Sequence, residues 1–154
     1  MWEKCKELQE ELVRMRRELH QIPELGGELP KTRAYVEEKL KELGIPFVEN
    51  KTDSGLIATI KGEKEGKTIV LRADMDALPI QEANEVDYIS RHEGCMHACG
   101  HDTHMTMLLV KEVISPVCGP NCLSPTLPLF RVISRTFAML KNAASCQPSV
   151  LCGH

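Results

Sequence analysis

Ten consecutive residues, Cys95-Met-His97-Ala-Cys99-Gly-His101-Asp102-Thr-His104, carry two thiols, three imidazoles and a carboxylate. No packing requirement concentrates metal-binding groups in this way. Gly100 interrupts the segment, and an apolar run with helical spacing follows it. The pattern predicts a loop that feeds a helix from Asp102 to Val113, with Asp102 or Thr103 as its N-cap. Any fold for this chain must therefore present Cys99 and His101 from a loop at the start of a helix.

Upstream, Cys5, Leu8, Leu12, Met15 and Leu19 recur at steps of three and four, the stripe of an amphipathic helix. Pro23 and Gly26-Gly27 end that helix, and His20 is expected on its polar flank as a surface histidine. A second helix is expected from Thr32 to Leu43, with Gly44 as its stop. Leu56–Ile60 and Thr68–Leu71 read as strands, and the charged turn between them suggests a hairpin. The order helix, helix, strand, strand, loop, helix indicates α/β with a mixed sheet. Asp74 and Asp76 follow the second strand directly, where open α/β sheets place their ligands. The two chemical clusters are thus expected to face each other across the sheet edge.

The chain changes character after residue 113. All 22 acidic residues lie at or before Glu112, while the remainder holds four of the seven cysteines and five of the nine prolines. Residues 1–113 are therefore expected to form a partial catalytic domain, and 114–154 an atypical tail, disordered or out of frame. Leu127 to Leu140 shows only a weak helical pattern. The cysteines Cys118, Cys122, Cys146 and Cys152 are too loosely spaced for a second metal site.

Bulk properties exclude several classes. A formal charge of -3 without a basic stripe gives no footprint for nucleic acid. No apolar run approaches the ~20 residues that span a bilayer. The polar N-terminus is not expected to act as a signal peptide, and an odd cysteine count argues against a disulfide scaffold. The expected location is cytoplasmic.

Three chemistries are open to the 95–104 segment. One is a catalytic centre in which Cys99 and His101 ligate a metal and Asp76 orients a ligand. Another is a closed zinc site built from Cys95, His97, Cys99 and His101. The third is a loop with no metal role.

Arg17-Glu-Leu-His-Gln-Ile-Pro-Glu24, Leu71-Arg-Ala-Asp-Met-Asp-Ala-Leu-Pro-Ile80 and Met96-His-Ala-Cys-Gly-His-Asp-Thr-His104 occur in that order. Together they resemble the N-terminal part of the amidohydrolase branch of the aminoacylase/carboxypeptidase metallopeptidases, over roughly residues 5–113. That branch includes hippurate hydrolase and the hydrolases of N-acyl and indole-acetyl amino acids. The resemblance implies a metal-dependent amidohydrolase that cleaves the amide bond of N-acyl amino acids. It implies two divalent metals per complete site, zinc or manganese, with Cys99 and His101 as ligands and Asp76 as the carboxylate beside them. It also implies a zinc-peptidase-like mixed-sheet domain and a homodimer formed through a smaller lid domain. Family members continue with a Glu-Glu pair and two further histidines; here no carboxylate side chain follows Glu112. The lid, the general base and several ligands thus have no counterpart, and the chain alone is expected to be inactive. The alternative function is a small metal-binding or partner-binding module that completes a site with another chain.

Overall fold

In the computed structural model, the residues described are 6–60, 70–110 and, as backbone, 136–141. Helix α1 (Gln9–His20) leads to α2 (Pro30–Glu42), then to strands β1 (Phe47–Glu49), β2 (Leu56–Ile60) and β3 (Val70–Asp74). Helix α3 (His101–Leu109) and strand β4 (Thr136–Lys141) complete the order.

The expected stripe is visible in the burial of α1 from Leu12 on; Leu8 precedes the helix, and Cys5 lies outside the described residues. Met15 and Leu19 are buried and Leu12 is half-buried, while Arg14 pairs with Glu18 on the exposed side at 2.9 Å. His20 departs from expectation: it is buried with Leu19, not exposed on the polar flank.

Helix α2 begins two residues earlier than its apolar pattern suggests. Pro30 suits a first helical turn because its missing N–H needs no partner there. The donors that remain free at that end are met from outside the helix. Glu24 accepts from the Lys31 N–H at 3.2 Å and the Thr32 N–H at 2.8 Å, and Ser54 Oγ accepts from the Leu29 N–H at 2.6 Å. At the other end Gly44 takes a φ of 68°, and its N–H reaches Lys41 while that of Ile45 reaches Leu40. This paired closure satisfies the last carbonyls, and it needs a left-handed residue at position 44.

The sheet order is β1-β2-β4-β3. β1 runs antiparallel to β2 with Phe47 opposite Ala58; β4 is parallel to β2 and antiparallel to β3, with Ala138 opposite both Ile57 and Arg72. The sheet is therefore mixed, as expected, but β2 and β3 do not form a hairpin. They keep the opposite directions that a hairpin would give, with β4 inserted between them. β4 overlaps only the end of the Leu127 to Leu140 stretch, where the sequence shows a weak helical pattern; residues 127–135 lie outside the described residues. Local spacing carries no information on a strand that pairs with residues more than sixty positions upstream. The short strand β1 was not anticipated, because three residues between Pro46 and Asn50 are too few to show a period.

Leu19 of α1, Val36 and Leu40 of α2, and Met105, Leu108 and Leu109 of α3 join Leu56, Ala58, Ala73 and Met75 in one core cluster. The core thus lies between the helices and the sheet. Burying a side chain such as Leu40 completely stabilises the fold by about 1.5–3 kcal/mol. No helix among the described residues is long and apolar enough to cross a membrane.

The expected tail, 114–154, lies outside the described residues except for β4.

Candidate metal centre

The chain leaves β3 at Asp74 and passes Met75 and Ala77, both buried, with the half-buried Asp76 between them. Leu78 and Met96 then exchange both backbone hydrogen bonds at 3.0 Å. This bridge aligns the end of β3 with the approach to Cys99, and it accounts for how residues 25 positions apart come to touch. The Ala77 N–H also donates to Glu24 O at 2.8 Å, tying the same strand end to the α1–α2 loop.

His101 opens α3. Its ring Nδ1 lies 2.8 Å from the carbonyl oxygen of Asp76 and 3.2 Å from the Asp76 carboxylate. Both partners only accept, so Nδ1 carries a proton, and in the neutral ring the lone pair is then on Nε2. That tautomer is the one a metal-ligating histidine needs, and the Asp76 contacts also fix the plane of the ring. The expectation that the two chemical clusters face each other is met in the Asp76–His101 pair. Cys99 is exposed on the same loop, and His104 lies with its ring centroid 6.1 Å from that of His101. Asp74 is directed elsewhere, to Arg72 at 2.8 Å.

Gly100 makes the loop possible. Its φ of 94° lies in the left-handed region, and its carbonyl accepts from both the Thr103 and His104 N–H groups at 3.0 and 3.1 Å. The helix therefore starts one residue before the expected N-cap, at His101, with no side-chain cap. Asp102 belongs to the first turn, where a carboxylate is favoured by the helix dipole, and its Oδ1 accepts from the Thr103 N–H at 2.8 Å.

The four residues of the closed zinc alternative do not assemble. Among the described residues no group of three or more histidine, cysteine or acidic side chains is arranged to hold a metal ion. Burial pushes the Cys95 thiol up, with the charge of Glu24 adding to the effect, so Cys95 stays a neutral interior group. His97 is buried, and both its ring nitrogens lack hydrogen-bond partners among the described residues. Burial drives its pKa down to about 4, against the attraction of Asp102. Cys99 and His101 remain as two donors of suitable chemistry, thiolate and imidazole, on one loop. They fit part of a metal centre.

Beneath that loop lies a polar network that the sequence reading missed. His20 Nδ1 is 2.6 Å from Asp102 Oδ2 and His20 Nε2 is 3.1 Å from Glu82 Oε1, with all three side chains buried. Arg16 Nε forms an ion pair with the same Asp102 oxygen at 3.0 Å. Glu82 also accepts from Asn84 at 3.0 Å and from the Ser90 N–H at 2.7 Å. Its burial would raise its pKa, but these hydrogen bonds and the nearby His20 outweigh that, and the carboxyl is held below its ordinary range. Tyr88 meets His20 edge-on at 5.9 Å, and the Arg17 guanidinium lies over its ring at 4.5 Å. His20, Glu24 and Asp102 all fall inside the three motifs quoted above, and that was the signal available.

Residues 70–111 match the model of Peptidase family M20/M25/M40. The chain is 49% identical over 102 residues to the N-acetyl-L-cysteine deacetylase of Bacillus subtilis, covering 66% of this chain and 24% of that protein. It is 48% identical over 97 residues to the N-acetyldiaminopimelate deacetylase of Halalkalibacterium halodurans, covering 62% of this chain and 26% of that one. Among solved structures, the YxeP protein of Bacillus subtilis, described as a dinuclear metal binding peptidase from the M20 family, superposes with a TM-score of 0.65. It has 28% identity, and the match covers 88% of this chain and 35% of that one. A protein described as an aminohydrolase from methicillin-resistant Staphylococcus aureus shares the fold at a TM-score of 0.59, with 24% identity. The chain spans about a quarter of the length of the curated relatives it matches, 24% to 27% in those compared. On this agreement of motifs, fold and sequence, the chain belongs to peptidase family M20/M25/M40, of which it carries an N-terminal part of the metallopeptidase domain.

Proposed function

We propose that this chain is the metal-binding N-terminal portion of an amidohydrolase that cleaves the amide bond of N-acyl amino acids. The observation that carries the reading is His101, held through Nδ1 by Asp76, two residues from the exposed thiol of Cys99. The reading is further supported by relatives named as deacetylases of N-acetylated amino acids, with nearly half of the aligned residues identical.

Each residue has a separate task in this account. Cys99 and His101 hold the metal, and Asp76 keeps the His101 ring in its tautomer and plane. A thiolate beside an imidazole favours zinc over manganese, since soft sulfur ligands select zinc. When bound, the metal supplies Lewis-acid polarisation of the amide carbonyl and a water acidic enough to act as nucleophile at neutral pH. Asp76 serves His101 in this account and not the water, so the general base and further ligands come from other parts of the family's fold. A cytoplasmic, thiol-reducing setting suits an exposed Cys99, and a homodimer accords with the family resemblance.

A chimaera tests this reading. Residues 6–110 would replace the matching portion of the Bacillus subtilis N-acetyl-L-cysteine deacetylase, and release of cysteine from N-acetylcysteine would be followed with zinc or manganese. The reading expects metal-dependent hydrolysis that Cys99→Ser abolishes. A folded, metal-loaded chimaera without hydrolysis contradicts it.

The second reading is a small module that completes a metal site together with another chain. It is favoured by the presence of only two donors on the loop and by the absence of any three-ligand cluster among the described residues. Its signature is stoichiometric metal bound by a dimer with no hydrolysis by the chain or by the chimaera.

A further inference from the structure

We propose that His20 is a positioning residue for the Cys99–His101 loop, acting through the carboxylate of Asp102. The metal arm of this inference rests on the function proposed above; its structural arm does not.

Asp102 directly follows His101 and is fully buried at the first turn of α3. One carboxylate oxygen is tied back to the helix through the Thr103 N–H. The other is tied outward, to His20 and Arg16 on α1. The opposite edge of the His20 ring meets Glu82, which Ser90 and Asn84 hold in turn. The ring of His20 thus bridges two buried carboxyl groups, one on each nitrogen. His20 is the point at which the end of α1, the 82–90 loop and the start of α3 meet.

The same short loop is held from its other side by Asp76, through His101 Nδ1. Adjacent residues are thus clamped independently: His101 by the end of β3, and Asp102 by the end of α1. Gly100, directly ahead of both clamped residues and between Cys99 and His101, is in its left-handed turn, which leaves few ways for Cys99 and His101 to change their separation. Burying the Asp102 and Glu82 carboxyl groups with their partners is an inefficient route to stability, because desolvation cancels much of the attraction and an apolar cluster of the same volume does as well. The location of the cluster, one residue from a donor that must be held in a fixed geometry, is what such a network serves.

The test uses amide hydrogen exchange on the full chain without metal, followed at Thr103 and His104 of α3 and at Val36 and Leu40 of α2. His20→Ala is expected to speed exchange at Thr103 and His104 several-fold beyond any change in α2. Adding it to Asp102→Ala is expected to change nothing further, because His20 acts through that carboxylate. A uniform change in α2 and α3, or additive effects in the double variant, overturns the proposal. If His20→Ala fails to fold, Arg16→Gln alters only the partner whose side chain is 32% exposed. The same local pattern at reduced size supports the proposal, and its absence overturns it. In parallel, cobalt(II) affinity is expected to weaken about tenfold in His20→Ala, as for other residues that orient a ligand. If the wild-type chain takes up no cobalt, the metal-site reading fails, and the exchange result still decides the role of His20.

Discussion

His20 Nδ1 and Asp102 Oδ2 are 2.6 Å apart in the interior, although 82 positions separate them in the chain. This contact joins the end of the first helix to the start of the third, at the residue next to His101. It makes the candidate metal loop a product of tertiary structure as well as of its own sequence.

Removing Asp102 leaves a buried polar atom of its partner unsatisfied. Asp102→Ala takes the acceptor from His20 Nδ1, while Nε2 keeps Glu82, and is expected to destabilise the fold by about 1–3 kcal/mol, the cost of a buried group without its hydrogen bond. Urea denaturation measures the loss, and a change below 1 kcal/mol contradicts the description of the pair as buried and mutually satisfied.

The N-terminus of α2 depends on a side chain outside it. Glu24→Ala leaves the Lys31 and Thr32 N–H groups without their acceptor and is expected to cost about 0.5–2 kcal/mol, the range for a lost helix cap. Glu28→Ala, an exposed neighbour, serves as the control and is expected to change stability little.

Two carboxyls and the buried His97 shape the acid side of the stability curve. Glu18 is pushed up by burial, but the Tyr35 hydroxyl and Arg14 outweigh this, and it lies below its ordinary value, as does Glu82. A carboxyl depressed in the folded state stabilises fully above its unfolded value, about 4.3, and this stabilisation is lost as pH falls through the folded value. The urea midpoint should therefore start to fall below about pH 6.5, where the unfolded chain takes up a proton that buried His97 refuses until about 4, and fall further below about 5 as the two carboxyls protonate. Glu82→Gln should flatten part of the decline; an unchanged acid limb in that variant would remove Glu82 from the account.

Gly100 offers a separable test of loop conformation. An added Cβ meets no atom within 4 Å, so the cost of Gly100→Ala comes from its φ of +94° alone. That cost is expected to be about 1–2 kcal/mol, with weaker metal binding as the loop relaxes. An alanine variant of unchanged stability contradicts the left-handed turn.

Much of this arrangement was legible in the sequence. The α1 stripe, the stop at Gly44, strand β2 and the loop-to-helix step at Gly100 each follow from local chemistry within a few residues. The approach of Asp76 to His101 was anticipated because strand ends gather ligands in open α/β sheets. Other features depend on distant partners. His20 reads locally as a polar-face histidine, and only Asp102 and Glu82, both far along the chain, make its burial favourable. Strand β4 is selected by pairing with β2 and β3 on either side, and no period within Thr136–Lys141 announces it. The cap that Glu24 supplies to α2 crosses a loop, so no pattern at the helix start encodes it.

The central claim is that Cys99 and His101 jointly hold a divalent metal. The most direct measurement is cobalt(II) titration of the full chain, followed by absorption, beside Cys99→Ser and His101→Gln. The account expects a thiolate-to-cobalt charge-transfer band in the wild-type chain, its loss in Cys99→Ser and weakened binding in His101→Gln. A wild-type chain without the band, or a band that survives Cys99→Ser, contradicts it.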